Sequence, residues 1–179
     1  MSRPIFRNRE NQRIEHQGRE VWLARSVAVV ASVIATSGGR RYVAVLERGP
    51  ALPDEVGKLA LPGGYLDWDE TTFDAARREV FEEVGLDVEP WTTSRRPWRI
   101  HDEPLGKQNV TLHYYFSRDV EALPVLTHEH AGPQEITRSL WLPLEDALKL
   151  EMAFGHQHVL AALLAQCPSP LPVADGTEG

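Results

Sequence analysis

Apolar and polar residues follow short strand-like periods along most of the chain, interrupted by three segments with helical spacing. Strands are predicted at residues 20–36, 41–48, 59–61, 88–91, 98–103, 110–117 and 136–142. Helices are predicted at residues 72–84, 144–150 and 155–165. Runs of strands separated by single helices favour an α/β fold with a mixed β-sheet covered on both faces.

The two ends of the chain lack this pattern. Residues 1–20 contain five arginines and three glutamates, and form a predicted N-terminal arm. The arm could pair with the rest of the domain, contact a second subunit in a homodimer, or remain mobile. Residues 168–179 contain three prolines and few apolar side chains, so we expect a disordered tail. The predicted domain therefore covers residues 21–167.

The helix at residues 72–84 has clear signals at both ends. Thr71 is a typical N-cap residue, and Asp74 three positions later is placed to complete a capping box. Gly85 is the kind of residue that ends a helix. The sequence therefore predicts the limits of this helix as well as its presence.

Three carboxylates lie on one face of this helix. Glu79, Glu82 and Glu83 stand at positions i, i+3 and i+4, and such neighbours repel one another. Oxygen ligands of this kind suit a hard divalent cation, Mg²⁺ with Mn²⁺ as a substitute. The alternative is a solvated acidic surface, which would not require the residues that surround these three.

Those surrounding residues complete a longer motif. Gly64 is followed after five residues by Glu70, and after seven more by the run from Arg78 to Leu86, giving G-x5-E-x7-R-E-U-x-E-E-x-G-U with U aliphatic. The motif resembles the Nudix box, and all nine specified positions match. The resemblance implies a Nudix-type α/β/α sandwich. It also implies a hydrolase that cleaves a nucleoside diphosphate linked to another group.

The resemblance also implies roles for individual residues. Glu79, Glu82 and Glu83 would bind the metal, joined by the carbonyl oxygen of Gly63. Glu70 would pair with Arg78 and brace the loop against the helix. The general base varies within the family, and here it would be either Glu79 or a carboxylate in a downstream loop, for which Glu135 is the main candidate.

Substrate contacts are less clearly indicated. Arg48 follows a predicted strand and could hold a phosphate with its planar guanidinium, or could be a solvated charge at a strand end. Tyr65 lies beside the predicted metal site and could stack on a base, although such aromatic residues more often pack in a core. Both are carried forward as substrate-binding candidates.

Composition narrows the possible partners. The net charge of −7 and the pI near 5.5 argue against broad attraction to nucleic acids or membranes. The single cysteine, Cys167, excludes an internal disulfide and fits a reducing compartment. The longest apolar run, residues 27–35, is too short to span a bilayer. We therefore expect a cytoplasmic enzyme acting on a small nucleotide.

The sequence leaves the substrate open. The favoured function is Mg²⁺-dependent hydrolysis of a nucleotide or nucleotide-sugar diphosphate. Removal of pyrophosphate from RNA 5′ ends is an alternative that the net acidity disfavours. A non-hydrolytic module that senses a ligand is another, and the complete set of box carboxylates disfavours it.

Overall fold

The computed structural model describes residues 11–92, 94–103 and 109–166. The strands within these ranges are β1 (Gln12–His16), β2 (Arg19–Leu23), β3 (Val27–Ser37), β4 (Arg40–Arg48), β5 (Leu59–Ala60), β6 (Gly63–Tyr65), β7 (Arg99–His101), β8 (Val110–Asp119) and β9 (Ile136–Pro143). The α-helices are α1 (Thr72–Val84), α2 (Leu144–Ala147) and α3 (His156–Gln166). Residues 168–179, the predicted tail, and residues 1–10 of the predicted arm lie outside the described ranges.

Seven of these strands form one mixed sheet. Its order is β5-β4-β3-β8-β7, with β6 also paired to β3 and β9 also paired to β4. The central pair, β3 with β8, is parallel, and the other pairs are antiparallel. The strands β1 and β2 form a separate hairpin. The mixed sheet predicted from the sequence is confirmed.

Helices cover both faces of this sheet. On one face, Phe73 and Val80 of α1 pack with Val29, Val33 and Phe116. The opposite face carries a second core, formed with α2 and α3, whose buried members include Ile34, Val43, Leu144, Leu160 and Leu163. The arrangement is the predicted α/β/α sandwich, and alternate side chains of β3 enter the two cores because successive residues of a strand point to opposite faces.

Two local predictions are wrong. Residues 88–91 do not form a strand, since Glu89–Trp91 is a single 3-10 turn. Pro90 within it has no N–H to donate to a sheet. The segment Gly63–Tyr65, expected to be only a turn and loop, is strand β6 and pairs with β3.

No helix within the described ranges has the length and apolar character needed to cross a membrane.

Candidate active site

Helix α1 begins and ends at the residues that the sequence indicated. The N–H of Asp74 donates to Thr71 Oγ1 over 3.2 Å, and the Thr71 hydroxyl donates to the Asp74 carboxylate over 2.6 Å. At the other end Gly85 has a φ of 73°, and its N–H donates to the carbonyl of Phe81 over 2.9 Å. These caps fix the rotation of the helix, and therefore the direction of its glutamates.

Strand β6 brings the glycine pair against those glutamates. The N–H of Gly63 donates to Glu83 Oε2 over 2.8 Å. Gly64 lies so close to Glu79 that a β-carbon there would stand 2.3 Å from Glu79 Oε1. Glycine is therefore required at position 64 by close approach, since any side chain would displace the carboxylate.

Arg78 connects the loop, the strand and the helix. Its Nε and Nη2 donate to the two carboxylate oxygens of Glu70 over 3.0 and 2.8 Å, and Nη2 also donates to the carbonyl of Tyr65 over 3.0 Å. Its Nη1 donates to Glu79 Oε1 over 2.8 Å and to Glu82 Oε2 over 3.0 Å. The sequence indicated the pairing with Glu70, but not the second pairing with two of the candidate metal ligands.

The electrostatics of the cluster differ from one carboxylate to the next. Burial raises the pKa of Glu83 to about 8, and the charge of Glu79 adds to that effect. Burial also raises the pKa of Glu79, against the opposing influence of Arg78. The hydrogen bonds from Arg78 instead lower the pKa of Glu70. A further positive charge beside Glu79 and Glu83 would therefore be stabilising.

The donor set fits a divalent cation by its chemistry, because all the side chains offer carboxylate oxygens. Within the described ranges, however, no three His, Cys, Asp or Glu residues are already grouped closely enough to hold a metal ion. The guanidinium of Arg78 occupies the space between Glu79 and Glu82. Binding of a cation to these two carboxylates would thus displace Nη1 of Arg78, while Nε and Nη2 could keep Glu70.

Glu135 lies on the opposite side of this cluster. Its carboxylate accepts the N–H of Gly132 over 3.0 Å, and its backbone carbonyl accepts the N–H of Gly49 over 2.7 Å. The N–H of Ala51 likewise donates to the carbonyl of Gln134 over 3.1 Å. The Glu135 side chain is exposed, and its negative charge contributes to the raised pKa of Glu83. The fold thus brings Glu135 near the box carboxylates.

Arg48 is near the same cluster but already has partners. Its Nη2 donates to Asp54 Oδ1 over 2.9 Å, and its guanidinium lies 4.7 Å from the ring centre of Phe154. Its charge nevertheless lowers the pKa of Glu83, opposing the effect of burial. Tyr65 is 62% exposed at the end of β6, where a ligand could reach its ring.

Sequence analysis missed one residue that supports the site. The buried His156 accepts the N–H of Leu61 at Nδ1 over 2.9 Å, directly before the Gly63–Gly64 pair. His156 begins α3 and is 95 positions away along the chain. No local pattern could have indicated that contact.

Comparison with known proteins agrees with the fold and the site. Residues 24–163 match the NUDIX domain. The chain is 38% identical to Nudix hydrolase 3 of Caenorhabditis elegans over 66 residues, which cover 37% of this chain and 28% of that protein. It is 30% identical over 112 residues to the ADPR responsive transcriptional repressor NtrR of Acinetobacter baylyi, covering 60% of this chain and 41% of the repressor. The matches thus span well under half of either curated relative.

A solved structure shares the fold. It is a bifunctional NMN adenylyltransferase/ADP ribose pyrophosphatase from Francisella tularensis, complexed with AMP and a manganese ion. The two structures superpose with a TM-score of 0.65 at 24% identity, covering 80% of this chain and 42% of that one. Since the NUDIX match spans most of the chain and includes every residue of the cluster, the protein belongs to the NUDIX domain family, whose members typically depend on divalent metal ions.

Proposed function

We propose that the protein is a Mg²⁺-dependent hydrolase that cleaves the diphosphate linkage of a nucleoside diphosphate joined to another group. The observation that carries this proposal is the packing of Glu79, Glu82 and Glu83 against β6, with Arg78 as the cation that contacts two of them. Such a site has an excess of negative charge, which a divalent cation would balance. The same cation would offset repulsion between an acidic protein and a polyphosphate.

In this proposal the residues have separate roles. Glu79, Glu82, Glu83 and the carbonyl of Gly63 hold the metal. A bound Mg²⁺ would neutralise the diphosphate oxygens and lower the pKa of a bound water. Arg78 remains anchored by its two hydrogen bonds to Glu70, so it keeps the loop before α1 in place.

A carboxylate must then remove the proton from the attacking water. We assign this role to Glu79, with Glu135 as the competing candidate. The raised pKa of Glu79 supports the assignment, since a general base works best when its pKa lies nearer the operating pH. The backbone hydrogen bonds that hold the loop of Glu135, and its proximity to Glu83, support the competitor.

The substrate class is a nucleotide or nucleotide sugar. Arg48 could contact a phosphate if it exchanged Asp54 for the ligand, and Tyr65 could stack on a ring. The names of the similar proteins put ADP-ribose first among the compounds to test.

A second candidate function is ligand sensing without hydrolysis. The relationship to the Acinetobacter repressor favours it, because that protein is described as responsive to ADPR. The complete set of box carboxylates favours hydrolysis, since a sensor has no need of a general base. RNA 5′-pyrophosphate removal remains a weaker third possibility for a chain with a net charge of −7.

The deciding experiment compares turnover with binding. The purified protein would be incubated with Mg²⁺ and a panel containing ADP-ribose, NADH, a nucleotide sugar, nucleoside triphosphates and 5′-triphosphorylated RNA. We expect a mononucleotide product from one small-molecule class, and none from the Glu82→Gln variant or in excess EDTA. Tight binding of ADP-ribose by calorimetry without turnover of any compound would instead establish a sensor.

A further inference from the structure

The hairpin of β1 and β2 stands apart from the main sheet. Within the described ranges, β1 pairs with β2 and with no other strand. Its apolar side chains Ile14, Trp22 and Leu23 are 42%, 67% and 50% exposed. A two-stranded hairpin without a packing partner is only marginally stable in water. The hairpin therefore requires a surface or strand to complete it.

The turn determines which backbone groups of β1 face outward. Gln17 and Gly18 form a two-residue loop, and their φ angles of 52° and 74° are those of a type I′ turn. In such a hairpin the residues beside the turn, His16 and Arg19, exchange both backbone hydrogen bonds. Alternate pairs further along the hairpin do the same.

This alternation directs Ile14 toward β2 and its neighbours away from it. The backbone N–H and C=O groups of Arg13 and Glu15 must therefore point to the free edge of β1. An edge strand with outward-pointing donors and acceptors is a template for pairing with another strand. The two residues that present this edge carry opposite charges.

The charges of the hairpin are unbalanced. Glu15 lies directly opposite Glu20, an arrangement that destabilises an antiparallel pair. Arg13 Nη1 lies 3.4 Å from Glu20 Oε1, which compensates one of the two carboxylates. Among the described residues, Glu15 has no cationic partner. The hairpin thus lacks one positive charge beside Glu15.

We propose that β1 pairs antiparallel with β1 of a second copy of this chain, about a two-fold axis that passes beside Ile14. In this register Arg13 of each copy lies opposite Glu15 of the other, and the two Ile14 residues face each other. The second copy supplies the missing positive charge. The two hairpins then form one four-stranded sheet, through an isologous contact that closes on itself.

The same register extends an apolar face. Ile14, Val21 and Leu23 point to one side of the hairpin, because Ile14 is paired with Val21 and Gln12 with Leu23. Pairing of two copies doubles this strip. Three or more strands with an apolar face are what an independent small sheet needs for stability.

Charge exchange tests the pairing in the full-length protein. The wild-type chain should be a dimer by analytical ultracentrifugation. Glu15→Arg and Arg13→Glu should each raise the dimer dissociation constant about tenfold or more, because like charges then face each other. The double variant should restore dimerisation. Glu121→Arg, an equal change at an exposed position after β8, is the matched control. A wild-type monomer, or a dimer that neither single change weakens, would overturn the proposal.

A cross-link tests the position of the axis. Facing residues in the pair without mutual backbone hydrogen bonds have α-carbons about 4.5 Å apart, which suits a disulfide. In a Cys167→Ser background, Ile14→Cys should form a covalent dimer on oxidation. Val21→Cys, on the inner strand of the same face, should not. Equal cross-linking at both positions, or none at position 14, would contradict the axis beside Ile14.

Discussion

The carboxylate of Glu79 rests against the α-carbon of Gly64, where a β-carbon would come within 2.3 Å of Oε1. Gly132 stands in the same relation to Glu135, with a β-carbon 2.5 Å from that carboxylate. Each candidate for the general base is therefore positioned by a glycine that leaves it room. This symmetry allows either carboxylate to be displaced without being removed.

Gly64→Ala should displace Glu79 and reduce kcat by about 10²-fold, which is what a displacement of about 1 Å can cost. The melting temperature should change little, since the clash is with the end of a flexible side chain. Gly132→Ala is the matched change beside Glu135 and should cost clearly less. The reverse order of the two effects would favour Glu135 as the base.

The pH profile distinguishes the two bases directly. Glu79→Gln should lower kcat by about 10²–10⁴-fold and flatten the acidic limb of its pH dependence, because the titrating base is gone. Glu135→Gln should retain the limb. An enzyme that keeps the limb without Glu79 and loses it without Glu135 would reverse our assignment.

Magnesium should stabilise the folded protein by mass action. At a Mg²⁺ concentration one hundred times the dissociation constant, the gain is about 2.7 kcal/mol, visible as a higher melting temperature in thermal unfolding. Glu83→Gln should remove most of this gain while the protein still folds. Turnover that continues unchanged in excess EDTA would contradict the metal mechanism.

Loss of the Glu70–Arg78 pair should loosen the loop before α1. Glu70→Gln leaves the guanidinium short of a carboxylate, and we expect destabilisation of about 1–3 kcal/mol in chemical denaturation. Asp67→Asn is the control, since Asp67 is mostly exposed and lies 3.8 Å from Arg78. If Glu70→Gln retained full stability but lost metal binding, Glu70 would belong with the metal ligands instead.

His113 should make stability depend on pH. It is 3% exposed, and burial together with the charge of Arg99 lowers its pKa to about 4. The unfolded chain takes up this proton near pH 6.5 while the folded protein does not, so stability is full above pH 6.5 and falls as the pH drops toward 4. The loss is at most roughly 3 kcal/mol.

Denaturation curves of the wild type and His113→Leu, measured between pH 4 and 7, test this. The variant should lack the part of the pH dependence that the histidine contributes. His158→Leu, at an exposed position of α3, should leave the wild-type dependence in place. Parallel curves for wild type and His113→Leu would show that His113 is protonated in the folded protein.

The sequence predicted those parts of the fold that local signals determine. Helix α1 has the predicted limits because Thr71, Asp74 and Gly85 act within a few residues of their partners. Strand β6 was missed because three residues are too few for a period, and its pairing is set by β3 far away in the chain. The strand predicted at residues 88–91 failed because an apolar run alone does not account for Pro90.

The site shows the same division. The shared face of Glu79, Glu82 and Glu83 follows from helical spacing. The approach of Glu135 to Glu83, and the contact of His156 with Leu61, depend on strands and loops that meet only in the folded chain. The contacts of Arg48 with Asp54 and Phe154 are likewise invisible in the local sequence.

The parallel pairing of β3 with β8 has a consequence for how the protein folds. Its two strands are roughly 80 residues apart along the chain, and contacts so distant in sequence slow folding because a long loop must close first. Strand β6, which holds Gly63 and Gly64, is anchored on β3 within this same region. The catalytic cluster should therefore assemble late, and activity in a refolding experiment should return only after the helical signal has recovered.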